Sequence, residues 1–182
     1  MQWAGRAGAA LEPLYEAHKR FVLEPAVLHV DEISVALLDP GVGKIRRAYV
    51  WLYARGEFET VPVVIHESCP GREAQYPLAF LGGSLEKPRR QRWRGTLVRD
   101  EYDGFDSVIA ACEGPTSAGC LVHARSKFAD LAHADTSAVA EEAIRRIAEV
   151  CRSKCEAQHG HAQQRLEHRR SASKPRSDSL HA

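Results

Sequence analysis

Residues 27–41 read VLHVDEISVALLDPG, and two acids, Asp31 and Glu32, stand in the middle of an otherwise apolar, β-branched run. Val27, Val30, Ile33 and Val35 favour a pleated backbone, and Asp39-Pro40-Gly41 closes the run with turn chemistry, so the stretch reads as a β-strand. Side chains alternate across a strand. Asp31 therefore shares a face with Val27, Ile33 and Val35, whereas Glu32 shares the other with Leu28, Val30 and Ala36. Whichever face is buried, one carboxylate points toward apolar neighbours. A buried charge needs a hydrogen-bond partner, a cation or a metal. The reading that needs none is an edge strand carrying a solvated Asp-Glu pair.

Working outward, Leu14, Ala17, His18, Phe21 and Val22 recur at helical spacing and predict a helix over 11–23. Beyond the turn DPGVGK (39–44), the run RAYVWLYAR (47–55) alternates Tyr49, Trp51 and Tyr53 with Val50, Leu52 and Ala54. GEFET (56–60) then leads to VPVVIHE (61–67), and three runs with tight connections predict an antiparallel meander. A short helix over 72–81 follows SCPG, and GTLVRD (95–100) reads as a short strand ending at Asp100. CLVHARSKF (120–128) supplies a further strand and the start of a helix. A strong helix over 137–156 places Val139, Ala143, Ile144, Ile147, Val150 and Cys151 on one stripe. From His159 the chain has almost no large apolar residues and is expected to be disordered in isolation. This order of elements describes an α/β domain with a mixed sheet.

With 182 residues, 44% hydrophobic and 27% charged, the chain fits one globular domain. The formal net charge of +1 advertises no polyanionic partner. No apolar stretch is long enough to span a bilayer, so no membrane partner is expected, and MQWAGRAGAALEP lacks the apolar core of a secretory signal. Cys69, Cys112, Cys120, Cys151 and Cys155 are odd in number and show no framework spacing, which favours reduced thiols in a cytoplasm. Cys151 and Cys155, with His159 and His161 beyond them, lack the second well-spaced pair of a structural zinc site. They are read as small helix residues before a polar tail.

Local charge is less even than the total. SLEKPRRQRWRGTLVR (84–99) sets six basic residues against Glu86, with Trp93 inside the run. Basic side chains interleaved with an aromatic suit a phosphate backbone and a stacked base; the competing reading is a solvated basic loop. In a mixed sheet, functional groups collect at the carboxyl ends of adjacent strands. Asp31 and Asp100 meet there if their strands are neighbours, and a divalent magnesium ion relieves their repulsion. Glu32, Glu101, Asp103 and Asp106 are read as solvated turn or helix-start charges. His29 is read as a satisfied core histidine. His123, Arg125 and Lys127 are either phosphate contacts or a surface basic cluster with His123 bonded inside the fold.

Three blocks, VLHVDEISVALLDPGVGKIRRAYVWLYA (27–54), FLGG…WRGTLVRDEYDGF (80–105) and GCLVHARSKFADL (119–131), are in that order similar to the transposases of the insertion sequence 66 family. The resemblance runs from about Trp3 to Ala157 and more loosely to the end. It implies the DDE recombinase group and a ribonuclease-H-like mixed sheet: an antiparallel three-strand meander plus parallel strands, with flanking helices, incomplete at the C-terminus. The family's first catalytic aspartate lies in an H-x-D-E-T block, matched by Asp31, and its second in D-x-Y-x-G-Y, matched by Asp100. Its third acid is a glutamate beyond a long helical region, a role for which no residue is carried over. Ile33 stands where the family usually has threonine, Leu121 where tryptophan or methionine is frequent, and GSLEKPRRQR (83–92) looks inserted. The helix after Lys174-Pro175 has lost most of its apolar residues.

The resemblance thus implies a leading helix over 1–24, a partial catalytic core over 25–158 and a basic tail over 159–182. The implied chemistry is phosphoryl transfer with Mg2+, or Mn2+ in its place, held by Asp31 and Asp100 as catalytic and metal-binding residues. Two such ions would lie about 3.5–4 Å apart. The implied partners are DNA, both insertion-sequence ends and target, with further copies of the chain or companion insertion-sequence proteins. Arg89, Arg90, Arg92, Arg94, Arg125 and Lys127 are the candidate DNA contacts. A truncated or decayed copy, inactive alone and without the family's amino-terminal DNA-binding modules, is the expectation. A non-catalytic DNA-binding remnant and a structure-specific nuclease of the same fold are the competing functions.

Overall fold

The computed structural model describes residues 2–39, 43–56, 58–82, 93–111, 115–134 and 137–180. Where composition predicts one domain, the chain forms two compact units, 1–119 and 120–182. Among the described residues no helix is long and apolar enough to cross a membrane.

The first unit is a five-stranded mixed sheet with helices. In chain order it runs α1 (Gln2–Val22), β1 (Val27–Asp39), β2 (Lys44–Arg55), β3 (Val64–Cys69), α2 (Gln75–Phe80), β4 (Thr96–Arg99), α3 (Gly104–Ala111) and β5 (Thr116–Gly119). The strand order is β3-β2-β1-β4-β5. β1, β2 and β3 form the antiparallel meander that the alternation predicts, and β4 and β5 join it in parallel. The quoted stretch is therefore an inner strand, paired with β2 along Leu28–Asp39 and with β4 over Val27–His29, and the side chain of Glu32 is buried. This removes the edge-strand reading of the Asp-Glu pair.

Alternation decides which face is covered. Leu28, Val30, Trp51, Tyr53, Ile65, Cys69 and Leu97 point into one core, where Val22, Leu78, Phe80, Phe105 and Val108 of the helices meet them. Tyr53 stacks on Phe80 with ring centroids 3.6 Å apart, and Trp51 meets Phe105 edge-on at 5.6 Å. Trp93 also belongs to this core. Its indole Nε1 donates to Pro25 O at 3.0 Å, so Trp93 is no base-stacking platform inside the basic run. Gly95 makes this possible, because a Cβ there would lie 2.5 Å from Ala26 O and from the Trp93 ring. His29 falls on the opposite face and is exposed, which corrects its reading as a core histidine.

Two elements differ from expectation. The fifth strand is Thr116–Gly119, ahead of the run read as a strand, and α4 is helical from Leu121 to Ala134. TSAG has almost no strand propensity; pairing with β4 makes it a strand, with Thr116 N donating to Gly95 O at 2.7 Å. α3 follows the short turn after Asp100, where the sequence shows acids and a glycine rather than a helical period.

The second unit contains α4 (Leu121–Ala134), α5 (Ala138–Ala157), α6 (Ala162–His168), a π-helical stretch over Arg169–Ser173, and α7 (Lys174–Asp178). Ser137 caps α5, its side chain accepting from Ala140 N at 3.3 Å. The buried line of α5 is Ala140, Ile147, Ser153 and Ala157, while Val139 and Cys151 of the predicted stripe are exposed. The tail expected to be disordered in isolation is helical and tied to α5. Ser153 Oγ lies 3.1 Å from His168 Nε2 and 2.8 Å from Ser173 Oγ. Arg146 Nη1 donates to Ser179 O at 2.7 Å. These polar ties replace the apolar contacts that the sequence lacks.

One carboxylate sits under α1. Glu67 of β3 shares the covered face and accepts a hydrogen bond from the Tyr15 hydroxyl at 3.3 Å. Burial pushes the Glu67 carboxyl up from its ordinary value, against the opposing pull of Lys19 and of the Tyr15 bond. The native state thus holds this proton at pH values where the unfolded chain has released it. Stability from this residue declines as pH rises from the ordinary glutamate range through the folded pKa and is constant above it. Glu67→Gln is expected to flatten the acid-to-neutral part of the stability profile, measured as urea midpoint against pH.

Candidate active site

The parallel register builds the site. His29 and Val98 are the last pair of β1 with β4. Asp31 lies two residues further on within β1, and Asp100 follows Arg99, the last residue of β4, so the two aspartates lie just past the paired register at the carboxyl end of β4. Neighbouring strands are about 4.8 Å apart. Asp31 Oδ1 accepts from the Glu32 amide at 2.9 Å, and Asp100 Oδ1 accepts from the Tyr102 amide at 3.1 Å, an Asx turn that fixes the start of the loop.

Glu32 is the surprise. Its side chain is only 4% exposed, on the same face as Leu28 and Val30, where the sequence reading made it solvated. Its charge is met by Arg72, which lies between β3 and α2. Arg72 Nε donates to Glu32 Oε1 at 2.5 Å, and Nη2 contacts the same oxygen. That Nη2 also stands 3.9 Å from Asp100 Oδ2. The guanidinium lies 3.7 Å over the Tyr102 ring, and the Tyr102 hydroxyl donates to Arg72 O at 2.7 Å. Gly104 leaves room for that ring, since a Cβ there would collide with it. Burial pushes the Glu32 carboxyl up from its ordinary value, the Arg72 hydrogen bond and charge pull it back, and Asp100 and Asp31 add to the rise. Glu32 Oε2 is buried and has no hydrogen-bond partner among the described residues.

A second arginine holds the Asp100 loop from the other side. Arg99 donates to Asp100 O at 3.1 Å, to Tyr102 O at 3.2 Å and to Ser117 Oγ at 2.9 Å, and it pairs with Asp106 at the start of α3. Asp106 is thus an exposed partner of Arg99, whereas Glu101 and Asp103 are exposed as predicted.

The remaining site expectations divide. Arg89, Arg90 and Arg92 lie outside the described residues. Arg94 is exposed just before β4, and Arg125 and Lys127 are exposed on α4 of the second unit. Among the described residues no three His, Cys, Asp or Glu side chains converge as a metal-binding group, Cys151 and Cys155 included. Arg72 and Tyr102 escaped the sequence reading. Tyr102 sits within the DEYDGF block, but nothing in the spacing links SCPGR to it; only the fold brings them together.

Comparison with known proteins adds the lineage. The model described as "Transposase IS66 family" matches residues 1–182, the whole chain, and the chain belongs to that family. It is 29% identical over 182 residues to the uncharacterized protein y4qI of Sinorhizobium fredii (strain NBRC 101917 / NGR234), covering 94% of this chain and 32% of that protein. To y4jD of the same strain, also uncharacterized, it is 28% identical over 155 residues, covering 81% and 29%. The chain therefore spans about a third of the length of these curated relatives.

The Glu32–Arg72 pair is directly testable. Arg72→Met leaves a buried carboxylate without its cation. The expected loss is about 2 kcal/mol, below the range for fully buried pairs because the Arg72 side chain is 39% exposed. Glu32→Gln in the same chain should recover most of it, measured by urea denaturation as a double-mutant cycle.

Proposed function

We propose that this segment supplies the first two acids, Asp31 and Asp100, of a transposase that cuts and joins DNA by metal-dependent phosphoryl transfer. One observation carries the reading: in a chain of this family, Asp31 and Asp100 each lie two residues beyond His29↔Val98, the last paired position of two adjacent parallel strands. The strand order β3-β2-β1-β4-β5, antiparallel then parallel, supports the ribonuclease-H-like assignment that the family resemblance implies.

The residues fit a hard divalent cation. Asp31 and Asp100 offer only oxygen donors, as such an ion requires. Asp31 and Asp100 would hold Mg2+, or Mn2+ in its place. When bound, the ion would activate a water or a DNA 3′-hydroxyl and neutralise charge at the leaving oxygen. The protein's share is positioning. β1 fixes Asp31, the Asx turn and Arg99 fix Asp100, and Arg72 offsets the repulsion among the three carboxylates. Exposure of Arg94, Arg125 and Lys127 is compatible with contacts to DNA phosphates. We place the protein in the cytoplasm, where its DNA substrate and reduced thiols are at home.

The resemblance assigns the third acid to a glutamate that no residue of this chain matches, so the 182-residue chain is expected to join no DNA strands by itself. Binding of Mn2+, followed by calorimetry, is expected to weaken at least tenfold in Asp31→Asn and in Asp100→Asn. Unchanged affinity in both, or Asp31-independent strand transfer by the wild-type chain, would overturn the proposal.

A further inference from the structure

β1 and β2 are longer than the sheet that contains them. β3 pairs only with Tyr49–Ala54 of β2, and β4 only with Val27–His29 of β1. From Ser34↔Tyr49 to Asp39↔Lys44 the two strands pair mainly with each other, as a two-stranded ribbon extending from the sheet. Six residues of strand reach about 20 Å. The described side chains over 33–38 and 43–47 are all exposed. They include Leu38 at 74% and Ile45 at 68%, far from any core.

The basic charge on the ribbon is one-sided. Lys44, Arg46 and Arg47 all lie on β2, while the facing strand reads Ser34, Val35, Ala36, Leu37, Leu38 and Asp39. Lys44 and Arg46 share one face of the ribbon and Arg47 takes the other, so the basic edge is charged on both sides. Arg46 and Arg47 also line a shallow concavity with Ser34, Val35, Ala36 and Ile45. The β2 edge over residues 44–48 has no neighbouring strand among the described residues, which leaves its backbone amides available to acceptors.

We infer that the β1–β2 ribbon is a DNA-binding arm whose Lys44, Arg46 and Arg47 track the phosphates of one strand of a duplex. This rests on the DNA reading above, but it assigns that binding to a surface distinct from the acid site and from the basic loop. The dimensions agree. A two-stranded ribbon fits the major groove of B-DNA. Residues 44–47 span roughly 10 Å of strand, and one DNA strand presents a phosphate about every 3.4 Å of helix axis, so three cations face about three phosphates. Exposed Leu38 and Ile45 at the far end of the ribbon offer apolar contact to base methyl groups.

The test is fluorescence anisotropy of a labelled duplex with the 182-residue chain across a salt series. Wild type is compared with K44Q/R46Q/R47Q, R89Q/R90Q/R92Q, K44R/R46K/R47K and L38D/I45D. The ribbon variant is expected to keep the wild-type circular dichroism and melting curve, because its side chains are exposed. It is expected to lose at least tenfold in affinity, with the slope of log K against log salt smaller by about 2–3. K44R/R46K/R47K should restore both. Binding that survives the ribbon variant but is lost in the loop variant would overturn the arm and leave the DNA reading intact. No binding by wild type would overturn both. Wild-type self-association abolished by L38D/I45D, with DNA affinity indifferent to the three cations, would overturn the arm in favour of an interface between copies.

Discussion

The structure depends on a buried charge that cannot be left alone. Putting Leu28 and Val30 into the core carries Glu32 in behind them, because alternation along β1 allows nothing else. The carboxylate then requires a cation, and Arg72 is the one that reaches it. Arg72 in turn lies flat on Tyr102, whose hydroxyl returns to the Arg72 carbonyl and whose amide grips Asp100. A single packing decision on the first strand therefore propagates through four side chains to the conformation of the loop after the fourth.

That chain of contacts divides the labour between two adjacent acids. Asp31 and Glu32 are neighbours in sequence yet occupy opposite faces of the sheet. Asp31 belongs with Asp100 to the proposed chemistry, while Glu32 anchors the arginine that also approaches Asp100. A buried ion pair gives little net stability, and its worth here lies in geometry. It fixes the distance and orientation of groups that repel one another. Arg99 does the same from the opposite side, holding two carbonyls of the Asp100 loop and the first turn of α3.

Charge is also partitioned across the surface in a way that composition conceals. A net charge of +1 conceals an acid-rich strand end and local basic runs elsewhere in the sequence. The ribbon cations sit beyond the paired part of the sheet, and Arg125 and Lys127 lie on the second unit. In that unit, polar ties such as Ser153 with His168 and Ser173 do what apolar stripes do elsewhere, in a tail that is helical with almost no large apolar residues.

Much of this was legible in the linear sequence. The alternation in residues 27–38 and 47–55 is enough to determine a meander, and three ordered blocks were enough to indicate the family, because strand periodicity and motif spacing are local properties. Several matters were not local. Which face of β1 is covered depends on helices far along the chain, so Glu32 and His29 could not be assigned from alternation alone. Trp93 reads as part of a basic loop until Pro25 O and Gly95 draw its ring into the core. TSAG is a strand only because β4 supplies its hydrogen bonds. Arg72 is 40 residues from Glu32, and no pattern connects them. Sequence by itself determined the meander and the acids its first strand carries; tertiary structure alone decided the fifth strand, which acid is buried and what neutralises it, because desolvation is set by whatever packs against a residue in space.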